Sequence, residues 1–133
     1  MNVPDWFTGL RSALDEKMGV ELLEVTPTRA ACRCPVEGNT QPFGLWHGGA
    51  SCVIAESLAS LAAAAEVGPD GAVTGVDINA THLRPATEGW VHGVATAIRI
   101  GGTLATYDVA LTDDAGEQVC AARITVYLKR SAR

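Results

Sequence analysis

The chain lacks several signatures, and each absence removes a class of proteins. No apolar run approaches the ~18 residues that a membrane-spanning helix requires, so no bilayer span is expected. The start, MNVPDWFTGLRSALDEKM, has no basic opening followed by an apolar block, as a secretory signal would, which points to the cytoplasm. Basic residues are scattered and the formal net charge is −5. Phosphate backbones are bound through a clustered positive face, so nucleic acid is not an expected partner. Cysteine is sparse, limited to Cys32, Cys34, Cys52 and Cys120, and no two of these form a C-x-x-C pair. Cys32 and Cys34 fall on one face of a strand at a spacing that suits neither a zinc knuckle nor a redox pair; they read as small buried apolar groups, and no metal is expected. Repeats, low-complexity tracts and linkers are absent, so residues 1–133 are read as one domain, long enough to bury a core.

What is present has a clear order. Asp5 to Met18 carries Phe7, Leu10, Leu14 and Met18 at the three-to-four spacing of an amphipathic helix, which Gly19 ends. Val20 to Thr26 and Ala30 to Val36 read as a hairpin around Thr26-Pro27-Thr28, and Glu37 to Gly44 as a loop. A long helix is expected from Gly48 to Glu66. Strands follow at Val73 to Leu83, Gly89 to Ile100, Thr103 to Thr112 and Glu117 to Lys129, with reversals at Gly101-Gly102 and Asp113-Asp114-Ala115-Gly116. Long consecutive strands joined by short turns are antiparallel neighbours. The expected class is α+β: a curved antiparallel sheet with one nearly all-apolar helix buried against it.

That helix contains the informative stretch, GLWHGGASCVIAESLASL from Gly44 to Leu61. At 100° per residue Ile54, Leu58, Leu61 and Ala65 share the side expected to press on the sheet. Gly49, Cys52, Glu56, Ser60 and Ala63 lie opposite. A solvated helix face normally carries several long charged side chains; this one offers small groups, a hydroxyl and a single acid, the pattern of a contact surface with a carboxylate in it. Glu56 and Ser60 are four apart and share that face. His47-Gly48-Gly49 places backbone N–H groups at the positive end of the helix, where an anion or developing oxyanion is favoured. Donors for an oxygen and a carboxylate on one helix suggest carbonyl chemistry. Gly48 and Glu56, however, are eight residues apart, ~12 Å along the axis at ~1.5 Å per residue. One chain cannot bring both to one carbonyl, whereas two antiparallel copies of the helix related by a two-fold axis could.

NTQPFGLWHGGASCVIAESLAS followed by GVDINATHLRP resembles the hotdog-fold acyl-CoA thioesterases that carry His-Gly-Gly ahead of a glutamate on the same helix. Within them it is similar to the bacterial enzymes that hydrolyse aromatic acyl-CoA or acyl-carrier-protein thioesters. The resemblance implies a long central helix wrapped by an antiparallel sheet, and a homodimer or homotetramer. It implies Glu56 as nucleophile or as base for water, and Gly48 as the backbone donor that polarises the carbonyl. Gln41 and His47 would orient the carbonyl and the loop, Ser60 would stand near the hydrolytic water, and His82 and Arg84 near the substrate entrance. Two positions depart from the family pattern: Gly101-Gly102 stands where relatives often have a basic second residue, and Trp46, replacing a smaller aliphatic, bears on the shape of the acyl pocket.

The expected reaction is hydrolysis of an acyl-CoA thioester, aromatic or medium-chain, with no bound cofactor. A thiolate is a good leaving group, so a carboxylate and an oxyanion donor suffice, and the chain has no G-x-S-x-G. An acyl-carrier-protein thioesterase, a hotdog dehydratase or hydratase, and a non-catalytic acyl-CoA-binding module are the alternatives.

Overall fold

The computed structural model describes residues 2–10 and 12–131. The N-terminal segment departs from the single amphipathic helix expected over Asp5 to Met18: it forms a 3-10 turn, Asp5–Gly9, and a short helix α1, Ala13–Met18. Leu10 and Ser12 are extended, at ψ 129° and 110°, which interrupts the helix; Arg11 between them lies outside the described residues. Ser12 instead caps α1, its hydroxyl accepting the Asp15 N–H at 3.2 Å. Phe7 is buried while Leu10 and Leu14 stay exposed, so the regular spacing does not mark one buried stripe. Gly19 does end α1, in the left-handed conformation (φ 83°).

Six strands follow: β1 (Glu21–Thr26), β2 (Arg29–Pro35), β3 (Ala72–His82), β4 (Trp90–Ile100), β5 (Leu104–Thr112) and β6 (Gln118–Lys129). All pair antiparallel in the order β1-β2-β4-β5-β6-β3. Local chemistry sets the reversals. Thr26 Oγ1 accepts the Arg29 N–H at 3.0 Å in the first hairpin. Asp113 Oδ1 accepts the Ala115 and Glu117 amides at 2.9 Å in the last, where Gly116 takes φ 82°. Register shifts place one extra residue at Leu23, Val76, Ile98 and Val119. Such bulges bend a strand and increase its twist, and together they curl the sheet. Three of these residues, Leu23, Val76 and Ile98, are among the exposed large apolar side chains.

The sheet curls around α2 (Gly48–Val67). Twenty residues of this composition would suffice to cross a membrane, which amends the reading that no such run exists; here eight of them are buried in the fold, as in any core helix. Ile54 and Leu58 press on the sheet as expected, but Leu61 and Ala65 are only half-buried. Ala63, expected on the outward stripe, is fully buried. The cause is β3, which pairs with the far side of β6 and packs along the flank of α2, so the sheet embraces more of the helix than a flat one would. Tyr107 lies in the same core; its hydroxyl donates to Pro27 O at 2.7 Å, and burial pushes its pKa up to about 12.

The helix sits close to β4. A Cβ at Gly93 would stand 2.9 Å from Leu58 Cδ1 and 3.0 Å from Ile54 Cγ2, both side chains almost wholly buried. Neither can yield without repacking, and overpacking of this kind costs about 1–3 kcal/mol. Gly93→Ala is therefore expected to lower stability by that amount, read as an earlier urea midpoint with unchanged slope.

Candidate active site

The loop ahead of α2 is held by its own polar groups. Asn39 Nδ2 donates to Met18 O and Pro35 O, each at 2.8 Å, and the His47 N–H donates to Asn39 O at 2.9 Å. Gln41 Oε1 accepts from the Phe43 and Leu45 amides. That fixes the side chain and leaves its NH2 with no acceptor among the described residues, a donor free for a ligand. Trp46 is buried in the core, its indole N–H donating to Ser51 Oγ at 2.7 Å, and it also borders a depression lined by Gln41 and Gly48.

His47 caps the helix: its Nδ1 accepts the Gly49 N–H at 2.8 Å, which leaves the proton of the neutral ring on Nε2. The Gly48 N–H has no acceptor among the described residues and stands at the positive end of α2, whose first turn holds no acid. The glycine pair has a steric cause as well. A Cβ on Gly48 would lie 2.9 Å from His82 Nε2, and a Cβ on Gly49 would lie 2.9 Å from His47 Nδ1. An imidazole ring stands against each glycine, and a side chain there would have to displace it.

Gln41, Trp46, Gly48, His82 and Arg84 converge on one depression of about 360 Å³. Glu56 and Ser60 line a second, of about 370 Å³, together with Asp15, Ser57 and Leu61. The two have no residue in common. His47 lines neither, because its ring is folded back on the cap. Within one chain the donor end and the carboxylate are therefore held apart, as the ~12 Å helical rise between them requires. The second depression adjoins a larger cavity of about 520 Å³ that shares Ser12, Asp15, Ser57 and Leu61 with it and is lined by Phe7, Leu10, Leu22, Ile54 and Leu58. Ser57 Oγ donates to Asp15 Oδ1 at 2.9 Å where the two meet.

Sequence reasoning missed Gly75. In β3 this glycine faces α2 beside Glu56, and a Cβ on it would stand 2.8 Å from Glu56 Oε2. The available signal was a glycine inside a strand, which often marks a bulge or a close approach. Burial pushes the Cys32 thiol up to about 12 and the Cys34 thiol up to about 11, and it raises the Cys120 thiol as well, so these remain protonated at neutral pH and supply no thiolate nucleophile. At the Gly101-Gly102 turn, Arg130 donates to both carbonyls, at 2.7 and 3.0 Å, and pairs with Glu66 at 2.8 Å. A guanidinium from the end of the chain thus stands at the turn that lacks a basic residue of its own.

A long helix seated in a curled antiparallel sheet, with a free amide at its start and a carboxylate two turns on, is the arrangement of a hotdog-fold thioester hydrolase. The profile of the thioesterase superfamily matches residues 43–120, and the chain belongs to that family. It is 37% identical over 121 residues to the 1,4-dihydroxy-2-naphthoyl-CoA hydrolase of Listeria monocytogenes, covering 90% of this chain and 98% of that one. It is 39% identical over 111 residues to the Escherichia coli protein of the same name, covering 83% and 76%. Among solved structures, a variant thioesterase from Pseudomonas aeruginosa superposes with a TM-score of 0.84 at 35% identity, covering 89% of this chain and 86% of that one. A Haemophilus influenzae thioesterase gives 0.86 at 28% identity, covering 96% and 88%.

The cap separates two roles for His47. His47→Ala removes the acceptor for the Gly49 N–H and is expected to cost about 1 kcal/mol, whereas His47→Asn retains a good cap and should stay within a few tenths of that in the wild type. Urea unfolding at a fixed protein concentration checks both values.

Proposed function

We propose that the protein hydrolyses acyl-CoA thioesters carrying an aromatic or medium-chain acyl group, at a site that two protomers complete. The observation that carries this reading is the separation of Gly48 and Glu56 into two depressions of one chain, each holding half of the chemistry. Strand β3 supports the pairing. It is an unpaired edge of eleven residues, largely exposed, with Val76 and Ile78 on show. An edge of that length and composition is a template for a second strand. Joining two copies antiparallel along β3 would set the α2 helices antiparallel as well and bring Glu56 of each toward the Gly48 end of the other.

In the completed site the Gly48 N–H polarises the thioester carbonyl, assisted by the helix end and the Gln41 NH2. Glu56 either attacks the carbonyl carbon or takes a proton from a water that does. The tetrahedral intermediate collapses with cleavage of the C–S bond, the electron pair leaving on sulfur as a thiolate; where water attacks, this gives the free acid directly, and where Glu56 attacks, it leaves a Glu56 acyl anhydride that a water then cleaves, releasing the acid and restoring the carboxylate. His82 and Arg84 stand where the thiol arm would enter. The 520 Å³ cavity beyond Ser57 suits the acyl group, since it is largely apolar and within the size range of small-molecule pockets. The names of the Listeria and E. coli relatives support coenzyme A as the thiol and an aromatic acyl group as one candidate.

Thiol release from benzoyl-, dihydroxynaphthoyl-, phenylacetyl- and fatty acyl-CoA esters, with wild type and Glu56→Gln side by side, tests this. The expected outcome is turnover of at least one class and a loss of several orders of magnitude in the variant. Equal release by both proteins would remove Glu56 from the mechanism. Double-bond chemistry on crotonyl-CoA without free thiol would favour a hydratase.

A further inference from the structure

We propose that Gly75 and the bulge that follows it in β3 are a positioning device for the Glu56 carboxylate; this rests on the reading of Glu56 as the reacting acid. Gly75 lies opposite Val126 and His82 opposite Cys120, both buried partners on the inner face of β6. Gly75 and His82 are seven residues apart, and in a regular strand residues an odd number apart point to opposite faces. Both face α2 here because Val76 is an extra residue, between the Gly75↔Val126 and Asp77↔Thr125 pairs. The bulge thus lets one strand serve both halves of the site, with His82 beside Gly48 and Gly75 beside Glu56, each so near that an added Cβ would stand within 3 Å.

At Gly75 the side chain is absent for a reason that backbone geometry does not supply. Its φ is not positive, so any residue could adopt its conformation. A glycine inside a strand carries an entropic cost that alanine would remove. What glycine provides is room: a Cβ would stand 2.8 Å from Glu56 Oε2 and 3.4 Å from Cδ. To reach an ordinary ~3.5 Å separation the carboxylate must swing away. Glu56 is exposed at the end of a flexible arm, so the swing costs the fold little; for a reacting group, a shift of about 1 Å can cost 10²-fold in rate.

The test is Gly75→Ala, with kcat, KM and melting temperature measured together on the thioester that wild type turns over best. The expected result is kcat lowered about 100-fold, KM within a few-fold, and a melting temperature equal to or above that of wild type. In a Glu56→Gln background the same substitution should cause no further loss, because it acts only through the carboxylate. A Gly75→Ala enzyme with wild-type kcat would overturn the proposal, as would a full 100-fold loss in the Glu56→Gln background. So would a melting temperature that falls in step with kcat, which would make Gly75 a packing residue. Failure of the parent reading is distinguishable, since Glu56→Gln alone would then retain activity.

Discussion

Helix α2 lies close against the elements around it: a Cβ added at Gly93 would stand 2.9 Å from Leu58, one at Gly48 2.9 Å from His82, one at Gly71 2.7 Å from Val67, and one at Gly75 2.8 Å from the end of the Glu56 side chain. A helix of 20 residues made mainly of alanine and other small side chains can sink this deeply. A sheet with an extra residue in each of several strands can curl to receive it. The rest of the molecule depends on that seating. It buries Ala55, Ala59, Ala62 and Ala63 completely, and it holds the free amide at the helix start and the carboxylate farther along at fixed positions on one rigid rod. Preorganised donors and acids are what carbonyl chemistry needs.

The same rigidity divides the site. A straight helix cannot fold back to bring its first residue to its ninth, so the proposed reaction, with Gly48 as donor and Glu56 as acid, needs a second helix alongside. In the proposed dimer the small outward residues Gly49 and Cys52 permit that approach, and the open edge of β3 supplies the means. The proposed half-sites and assembly thus rest on a single geometric constraint, the ~12 Å between Gly48 and Glu56.

Much of this is legible in the sequence. The long helix and the strands announce themselves through periodicity and composition, and Asp113 to Gly116 through turn chemistry, because those signals are local. The spacing of Gly48 and Glu56 fixes their ~12 Å separation along the helix, since helical rise is invariant, and the proposal of a divided site starts from it. What cannot be read is set by partners distant in the chain. Nothing within Ala72–His82 says that the strand pairs with β6, and without that pairing Ala63 looks outward-facing. The break at Leu10 to Ser12 hides behind a helical spacing because Phe7 and Met18 at its two ends reach the core while Leu10 and Leu14 between them stay exposed. Gly75 escapes notice because its meaning lies in Glu56, nineteen positions earlier, and appears only when the bulge turns both toward each other.

The central claim, a site shared between two chains, is tested most directly by mixing two crippled variants. Gly48→Ala, which drives a methyl group against His82, and Glu56→Gln should each be nearly inactive as separate preparations. Unfolded together and refolded at equal amounts, half of the dimers would be mixed and one site in each of those would hold both intact residues, so about a quarter of wild-type activity should return. Mixed dimers verified by mass that remain as inactive as the parents would contradict the account.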